Sequence, residues 1–128
     1  MSHQIITTRT GKVWLGEDGI LRCVSLPGIH MTLAEAQENI AAGMKFDDGG
    51  KRPVLLDIRL IKGIDRDARA YFASRESSVR TSAIALLVHS PLSRVVANFF
   101  LGLNKMPMPI HLFPDEGEAI EWLKGFHA

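Results

Sequence analysis

The sequence predicts an α/β fold: an N-terminal β-hairpin, a helix and then three strand–helix units, which build a mixed or parallel sheet of about five strands with helices packed on it. Two observations predict this fold. Short and nearly unbroken apolar runs, "PVLLDI" and "SAIALLVH", are typical of strands covered on both faces. Segments with apolar residues at helical spacing alternate with these runs, and such alternation favours parallel strands joined by crossover helices.

The N-terminal third predicts a hairpin followed by a helix. The segment "KVWLGEDGILRCVSL" places two apolar runs around an Asp-Gly pair, which accepts positive φ and therefore predicts a tight turn between strands. In "MTLAEAQENIAAGMKF", Thr32 followed by Glu35 is a capping box, so a helix is expected to begin there. Gly43 is expected to follow the last helical residue and end the helix.

The remaining helices are predicted by their start signals. Asp65 is placed to cap a helix that follows the strand "PVLLDI", and Asp115 is placed to cap the last helix. Ser90 and Pro91 suit the first positions of a helix over "PLSRVVANFFLGLN". The third strand, "MPMPIHLF", contains two prolines in its first half, which favours an irregular start of the strand or an edge position in the sheet.

Composition narrows the class of protein. The 128 residues are expected to form a single domain over 1–128, with 1–12 as a loose N-terminal extension. With 15 Lys and Arg against 14 Asp and Glu, the net charge of +1 gives no broad attraction to nucleic acid or anionic lipid. Cys23 is the single cysteine, which excludes an intrachain disulfide, and the five histidines have no metal-ligand spacing. No metal and no cofactor are expected.

The N-terminal residues include no long apolar region, so no signal peptide is expected, and no apolar run approaches the roughly 20 residues that a membrane span needs. The protein is therefore expected in the cytoplasm, without stable membrane insertion.

Residues 55–69, "LLDIRLIKGIDRDAR", hold three carboxylates and three arginines. Asp65 and Asp67 fall at the start of the predicted helix, where carboxylates complement the helix dipole, and Asp57 ends the strand, where its side chain can bond loop amides. Those negative charges oppose a phosphate at this helix start, and the glycines of a phosphate-binding loop are missing. The run is therefore interpreted as the junction of a strand and a helix, and no catalytic residue is assigned.

The stretch "VLLDIRLIKGIDRDA" resembles the signature of the anti-sigma-factor antagonist, or STAS, family, and the order of elements is similar to that family from Val13 to Phe126. The resemblance aligns Asp57 with the acid that ends the family's strand and Asp65 with the acid that opens its helix. It places Asp67 where the family has its phosphorylatable serine, with Arg66 at the preceding serine and Ala68 at the glycine. An aspartate carries one fixed charge, against about −1.5 to −2 for phosphoserine, so the resemblance implies the fold without the serine switch.

A second candidate site lies at the end of the strand "SAIALLVH". Ligands of open α/β sheets favour the carboxyl ends of strands, and a helix start there could receive an anion. Its residues are His89, Ser90, Ser93 and Arg94. A hydrolytic triad of Ser90, His89 and Asp57 is disfavoured, because "VHSPL" lacks the Gly-x-Ser-x-Gly turn.

Two functions remain. The first is a non-catalytic protein-interaction or regulatory module, not an enzyme, that binds another protein or a second copy of itself as a homodimer. Its surface is assigned to Asp57, Arg59, Asp65, Arg66, Asp67 and Arg69. The alternative is a protein that binds a small anionic or lipid-like ligand in the cleft beside His89, Ser90 and Arg94. Neither function involves nucleic acid.

Overall fold

A mixed β-sheet forms the centre of the computed structural model, which describes residues 4–46, 49–72, 74, 80–88 and 108–126. Its strands are β1 (Ile5–Thr7), β2 (Gly11–Leu15), β3 (Leu21–Ser25), β5 (Arg52–Asp57), β7 (Thr81–Leu87) and β8 (Ile110–Phe113). They lie in the order β1-β2-β3-β5-β7-β8. Two short strands, β4 (His30–Met31) and β6 (Gly63–Ile64), pair separately in parallel. Within the described residues the main sheet therefore has six strands, against about five predicted.

The predicted hairpin is confirmed. Strands β2 and β3 pair antiparallel with Val13 opposite Cys23, and Gly19 in the turn adopts a positive φ of 80°. Gly11 is required on β2, because a Cβ there would lie 2.2 Å from the carbonyl oxygen of Val24. The hairpin thus brings two backbones closer together than any side chain at Gly11 would permit.

The expectation of a loose extension over 1–12 is wrong for the residues described there. Ile5–Thr7 form β1, which pairs antiparallel with β2, and Thr8 is buried. The Thr8 hydroxyl donates to Oδ1 of Asn39, a residue of the first helix, at 2.6 Å. This segment therefore extends the sheet and is fixed by contacts with residues far along the chain.

The second half of the sheet is parallel. Strand β3 pairs in parallel with β5, β5 with β7, and β7 with β8. Strand β8 begins at Ile110, after the two prolines, and lies at one edge of the sheet in the described residues, which agrees with the edge position that the prolines favour. The ladder between β5 and β7 is irregular where Arg52 pairs with Thr81 and Pro53 pairs with Ala83.

Three helices are described: α1 (Leu33–Met44), α2 (Arg66–Phe72) and α3 (Glu116–Leu123), the last followed by a 3₁₀ turn over Lys124–Phe126. Thr32 and Glu35 form the predicted capping box of α1, and Asp115 accepts a hydrogen bond from the Glu118 amide at 2.9 Å. Gly43 does not end α1, because the helix continues through it to Met44. The helix predicted over "PLSRVVANFFLGLN" lies outside the described residues.

Both faces of the sheet are covered by helices, so the protein has one layer of hydrophobic core on each side of the sheet. On one face, Leu55 and Leu87 pack with Ala119 and Leu123 of α3. On the other face, Leu21 packs with Ala42 of α1. Each fully buried leucine contributes about 1.5–3 kcal/mol, so these layers hold the sheet and fix the loops at its ends.

Candidate functional site

The loop between β5 and α2 lies at the carboxyl end of the parallel strands, beside the loop that follows β3. The backbone holds the two loops together. The Gly28 amide donates to the Leu60 carbonyl at 2.9 Å, and the Lys62 amide donates to the Ile29 carbonyl at 2.7 Å. Gly28 adopts a positive φ of 74°, which this turn requires and which glycine accepts without strain. Arg59 therefore lies on a loop that backbone hydrogen bonds hold in place, between the end of β5 and the start of α2.

Asp57 and Arg59 form a close ion pair at the end of β5. The buried Asp57 carboxylate accepts hydrogen bonds from the Arg59 amide at 3.1 Å, from Nε at 3.0 Å and from Nη2 at 2.7 Å. Hydrogen bonding to this carboxylate raises the pKa of Arg59 above its ordinary value. The hydrogen bond from the Arg59 amide confirms that Asp57 bonds the backbone of the loop, whereas its pairing with the Arg59 side chain was not predicted.

Asp65 precedes α2, and its carbonyl accepts the first helical hydrogen bond from the Arg69 amide at 3.0 Å. Its carboxylate lies 2.5 Å from His30 Nε2, and both side chains are about half exposed. Gly63 leaves room for this pair, since a Cβ there would be 2.8 Å from His30 Nδ1. The side chain of Asp65 therefore joins α2 to β4 across the small parallel pair.

Arg66, Asp67 and Arg69 point in different directions from the first turns of α2. Arg66 and Asp67 are exposed. Arg69 is half-buried, and its Nη1 donates to the Ile64 carbonyl at 3.0 Å. The three carboxylates of this stretch hence have separate surroundings, and the described residues contain no cluster of acids, histidines and cysteines suited to a metal ion.

The apolar part of this region was not predicted from the sequence. Leu60 is 51% exposed at the tip of the loop, and Leu26 on the neighbouring loop is 39% exposed. Ile58 and Ile61, on either side of Leu60 in the chain, are buried and anchor the loop. The sequence signal that could have indicated an exposed leucine is "DIRLIKG", in which Leu60 lies between Ile58 and Ile61. We call the set Leu26, Arg59, Leu60, Asp65, Arg66 and Asp67 the partner surface.

The second predicted site cannot be placed in this structure. His89, Ser90, Ser93 and Arg94 lie outside the described residues. The strand that precedes them, β7, is described to its end and is followed by the fully buried Val88.

The sheet topology of the described residues is that of a STAS-like α/β fold, which confirms the predicted fold. A crystal structure of an uncharacterized protein of the DUF3478 family with a SpoIIAA-like fold, from Shewanella loihica PV-4, is similar at a TM-score of 0.55. The alignment has 18% sequence identity and covers 95% of this chain and 92% of that one. At this identity the similarity shows the fold alone.

Residues 13–127 match the family described as a domain of unknown function, DUF7793, and the chain belongs to that family. A crystal structure of a protein with unknown function from Arthrobacter sp. FB24 is 35% identical, covering 92% of this chain and 95% of that one, with a TM-score of 0.36. No curated protein matches the chain. None of the helices in the described residues combines the length and apolar character of a membrane span.

Proposed function

We propose that this chain is a non-catalytic interaction module of regulatory type, which binds another protein in the cytoplasm through the partner surface. The observation that carries the proposal is Leu60, a large apolar side chain held 51% exposed on a loop whose backbone is hydrogen-bonded in place. An apolar side chain kept in water by an ordered loop gains free energy when a second surface covers it.

The composition of the partner surface supports a protein partner. It combines the exposed leucines Leu60 and Leu26 with the charged side chains of Arg59, Asp65 and Arg66. Protein interfaces commonly combine an apolar core with a polar rim of this kind. Since the loop is already ordered by its backbone hydrogen bonds, association has little backbone entropy to lose there.

Asp67 gives the partner surface a fixed negative charge. It is exposed in the first turn of α2, at the position that the STAS resemblance aligns with the phosphorylatable serine. An aspartate presents its charge without a kinase, so we infer that binding is constitutive with respect to that switch. A partner with a basic side chain opposite the start of α2 fits this charge.

The non-catalytic part of the proposal is supported by the engagement of two carboxylates. Asp57 accepts from Arg59, and Asp65 lies against His30. A general base must reach the proton that it removes, and both carboxylates already face a partner side chain on their own domain. Holding the loop after β5 explains the Asp57 carboxylate, and joining α2 to β4 through His30 explains the Asp65 carboxylate.

The test is affinity purification from the native cell with Leu60→Ser as the variant and Ile5→Ser as the matched control. Ile5 is also aliphatic and exposed, at 54%, but lies on β1. Complete burial of a leucine contributes about 1.5–3 kcal/mol, and about half of Leu60 is exposed, so its covering contributes about 0.8–1.5 kcal/mol, or roughly 4- to 12-fold in Kd. Leu60→Ser is expected to weaken capture by this factor, and Ile5→Ser is expected to leave it unchanged.

Asp67→Lys adds an electrostatic test on the same captured protein. The substitution replaces a negative charge by a positive one and is expected to weaken binding in a salt-dependent manner. Sedimentation of the purified chain determines whether a second copy is the partner, since the Leu60→Ser variant would then dissociate at concentrations where Ile5→Ser does not. Partner binding that neither Leu60→Ser nor Asp67→Lys changes contradicts the proposal.

A further inference from the structure

A cavity of about 120 Å³ lies between α1 and the face of the sheet opposite α3. Two rows of side chains form its floor, because the strand register places residues of neighbouring strands side by side on one face. One row contains Leu21, Val54, Ile84 and Ile110, and the other contains Cys23, Leu56 and Leu86. Apart from the Cys23 thiol these side chains are aliphatic, so the floor of the cavity is almost entirely hydrocarbon.

The loop between β5 and α2 forms one wall of this cavity. Ile58 and Ile61 of the loop line the cavity and pack in one cluster with Leu86 of its floor. Ile58 is 8% exposed and Ile61 is 4% exposed, whereas Leu60 between them is 51% exposed. The loop therefore has an inner side that faces the cavity and an outer side that displays Leu60 on the partner surface.

The cavity favours an uncharged ligand. Burial raises the pKa of the Cys23 thiol to about 12, because a thiolate there would lose its hydration without gaining a counter-ion. A charged group of a ligand would lose its hydration in the same way. Three basic residues are among the described lining residues: Lys12 is exposed to solvent, and Arg52 and Arg80 already interact with other groups of the protein. None of them is therefore assigned to an anionic ligand.

The volume limits the ligand to about one aromatic ring or a hydrocarbon of similar size. An apolar cavity of about 150 Å³ in another protein stays dry and binds benzene, whereas sites for drug-sized ligands enclose about 300–1,000 Å³. At about 120 Å³, this cavity is comparable to the first of these. A ligand that fills it supplies the van der Waals contacts that the lining side chains otherwise lack.

Binding in the cavity is coupled to the loop, because a ligand there contacts Ile58 and Ile61. A ligand shifts an equilibrium toward the state that it binds more tightly. The two contacts exist only while the loop is closed over the cavity, so the ligand favours the closed loop over an opened one. In the closed loop Leu60 is displayed, and the amides of Gly28 and Lys62 join the loop to its neighbour by hydrogen bonds.

We propose that this cavity binds a small neutral hydrocarbon or aromatic molecule, and that the ligand stabilises the loop in the conformation that displays Leu60. The ligand then strengthens partner binding at the partner surface, and a bound partner strengthens ligand binding by the same factor. This regulatory role rests on the proposed function, whereas ligand binding and its effect on the loop are properties of the isolated chain.

The experiment uses benzene as the probe and amide hydrogen exchange of the isolated chain, measured by NMR, as the readout. The Gly28 and Lys62 amides report on opening of the loop, and the Ala119 amide, which bonds the Asp115 carbonyl in α3 on the other face of the sheet, is the control. At a benzene concentration of ten times its Kd, a ligand that binds only the closed loop slows exchange through loop opening about elevenfold. The Gly28 and Lys62 amides should slow by about this factor, and the Ala119 amide should not change.

Benzoate tests the requirement for a neutral ligand. It has the ring of benzene with a carboxylate added, and burial of that charge is expected to make benzoate bind at least about tenfold more weakly than benzene. Chemical-shift titration of the parent protein measures both affinities, so this comparison needs no variant.

Ile84→Phe tests the location of the ligand. The substitution fills the cavity with a ring of its own and is expected to weaken benzene binding about tenfold or more. Ile120→Phe is the matched control, because it makes the same replacement at a partly buried position of α3 on the other face of the sheet. It is expected to bind benzene like the parent, and circular dichroism verifies that both variants are folded.

Four results overturn the proposal. Benzene does not bind the parent protein, or benzoate binds as tightly as benzene, which contradicts a neutral ligand. Benzene binds but leaves the exchange of the Gly28 and Lys62 amides unchanged, which removes the coupling to the loop. A folded Ile84→Phe protein binds benzene like the parent, which places the ligand elsewhere. The proposed function fails separately, if Leu60→Ser leaves partner capture unchanged while benzene still slows the exchange of the loop amides.

Discussion

Replacement of Asp57 by asparagine tests whether the acidic stretch after β5 is structural. The carboxylate is buried, with 7% of the residue exposed, and accepts from the Arg59 amide, Nε and Nη2. Asparagine keeps the shape and one acceptor oxygen but loses the charge and the two-point pairing with the guanidinium. Hydrogen bonds to charged groups contribute about 1.5–3 kcal/mol, and the Arg59 side chain is 34% exposed, so we expect a loss near the lower part of that range.

The expected loss is about 1.5–2 kcal/mol in the free energy of unfolding, which for a domain of this size corresponds to a midpoint roughly 5–8 °C lower. Urea unfolding followed by circular dichroism measures it. Asp67→Asn is the control, because Asp67 belongs to the same stretch but is exposed; it should change stability by less than about 0.5 kcal/mol. If Asp57→Asn is as stable as the parent and yet abolishes partner binding, the carboxylate is functional and our reasoning is refuted.

Three further predictions follow from local contacts. Arg22 lowers the pKa of Asp18 from 3.8 to about 2, so their ion pair stabilises the fold above about pH 4. This contribution of about 1–2 kcal/mol to the free energy of unfolding is lost as the pH falls toward 2. In urea unfolding at a series of pH values, Asp18→Asn should remove that part of the acid dependence, and Glu121→Gln should not. Gly63→Ala should displace the His30 ring and cost about 1 kcal/mol, measurable by urea unfolding; equal stability would contradict the close approach. Cys23, with its pKa raised to about 12, should react with iodoacetamide at pH 8 at least about a hundredfold more slowly in the folded protein than in urea, and equal rates would show an accessible thiol.

Local signals in the sequence predicted local structure correctly. The Asp-Gly turn produced the hairpin of β2 and β3, and the spacing of Thr32 and Glu35 produced the capping box, because each depends on residues within a few positions. The parallel strands were predicted from their apolar runs, because a strand covered on both faces needs apolar residues at nearly every position. These are features that the chain specifies without distant partners.

The errors arose where distant residues decide the structure. Gly43 was expected to stop α1, but it lies against Leu21 of β3, with only 3.1 Å between that side chain and a Cβ placed on the glycine. Its role is close packing of a helix on a sheet, which the local sequence does not reveal. Ile5–Thr7 similarly became a strand because β2 offered a free edge. Pairing and packing of this kind depend on the fold as a whole.

The positions of Asp57 and Asp65 in the fold were predicted, but their contacts only in part. The sequence identified Asp57 and Asp65 as residues at a strand end and a helix start, which the contacts of the loop agree with. It did not predict that Asp65 meets His30, which is 35 positions away, or that Leu60 remains exposed. The apolar cavity was also missed, because its lining comes from several strands and α1, each of which reads as ordinary core when taken alone.

The central claim is that the acidic stretch holds a loop and a helix start and leaves its carboxylates without a reacting group. A crystal structure of the protein purified from its own cell and soaked in Mn²⁺ tests this claim most directly. We predict that the Asp57 carboxylate remains on Arg59 and that Asp65 remains on His30, with no metal between them. Convergence of Asp57, Asp65 and Asp67 on a bound ion or substrate would contradict the account.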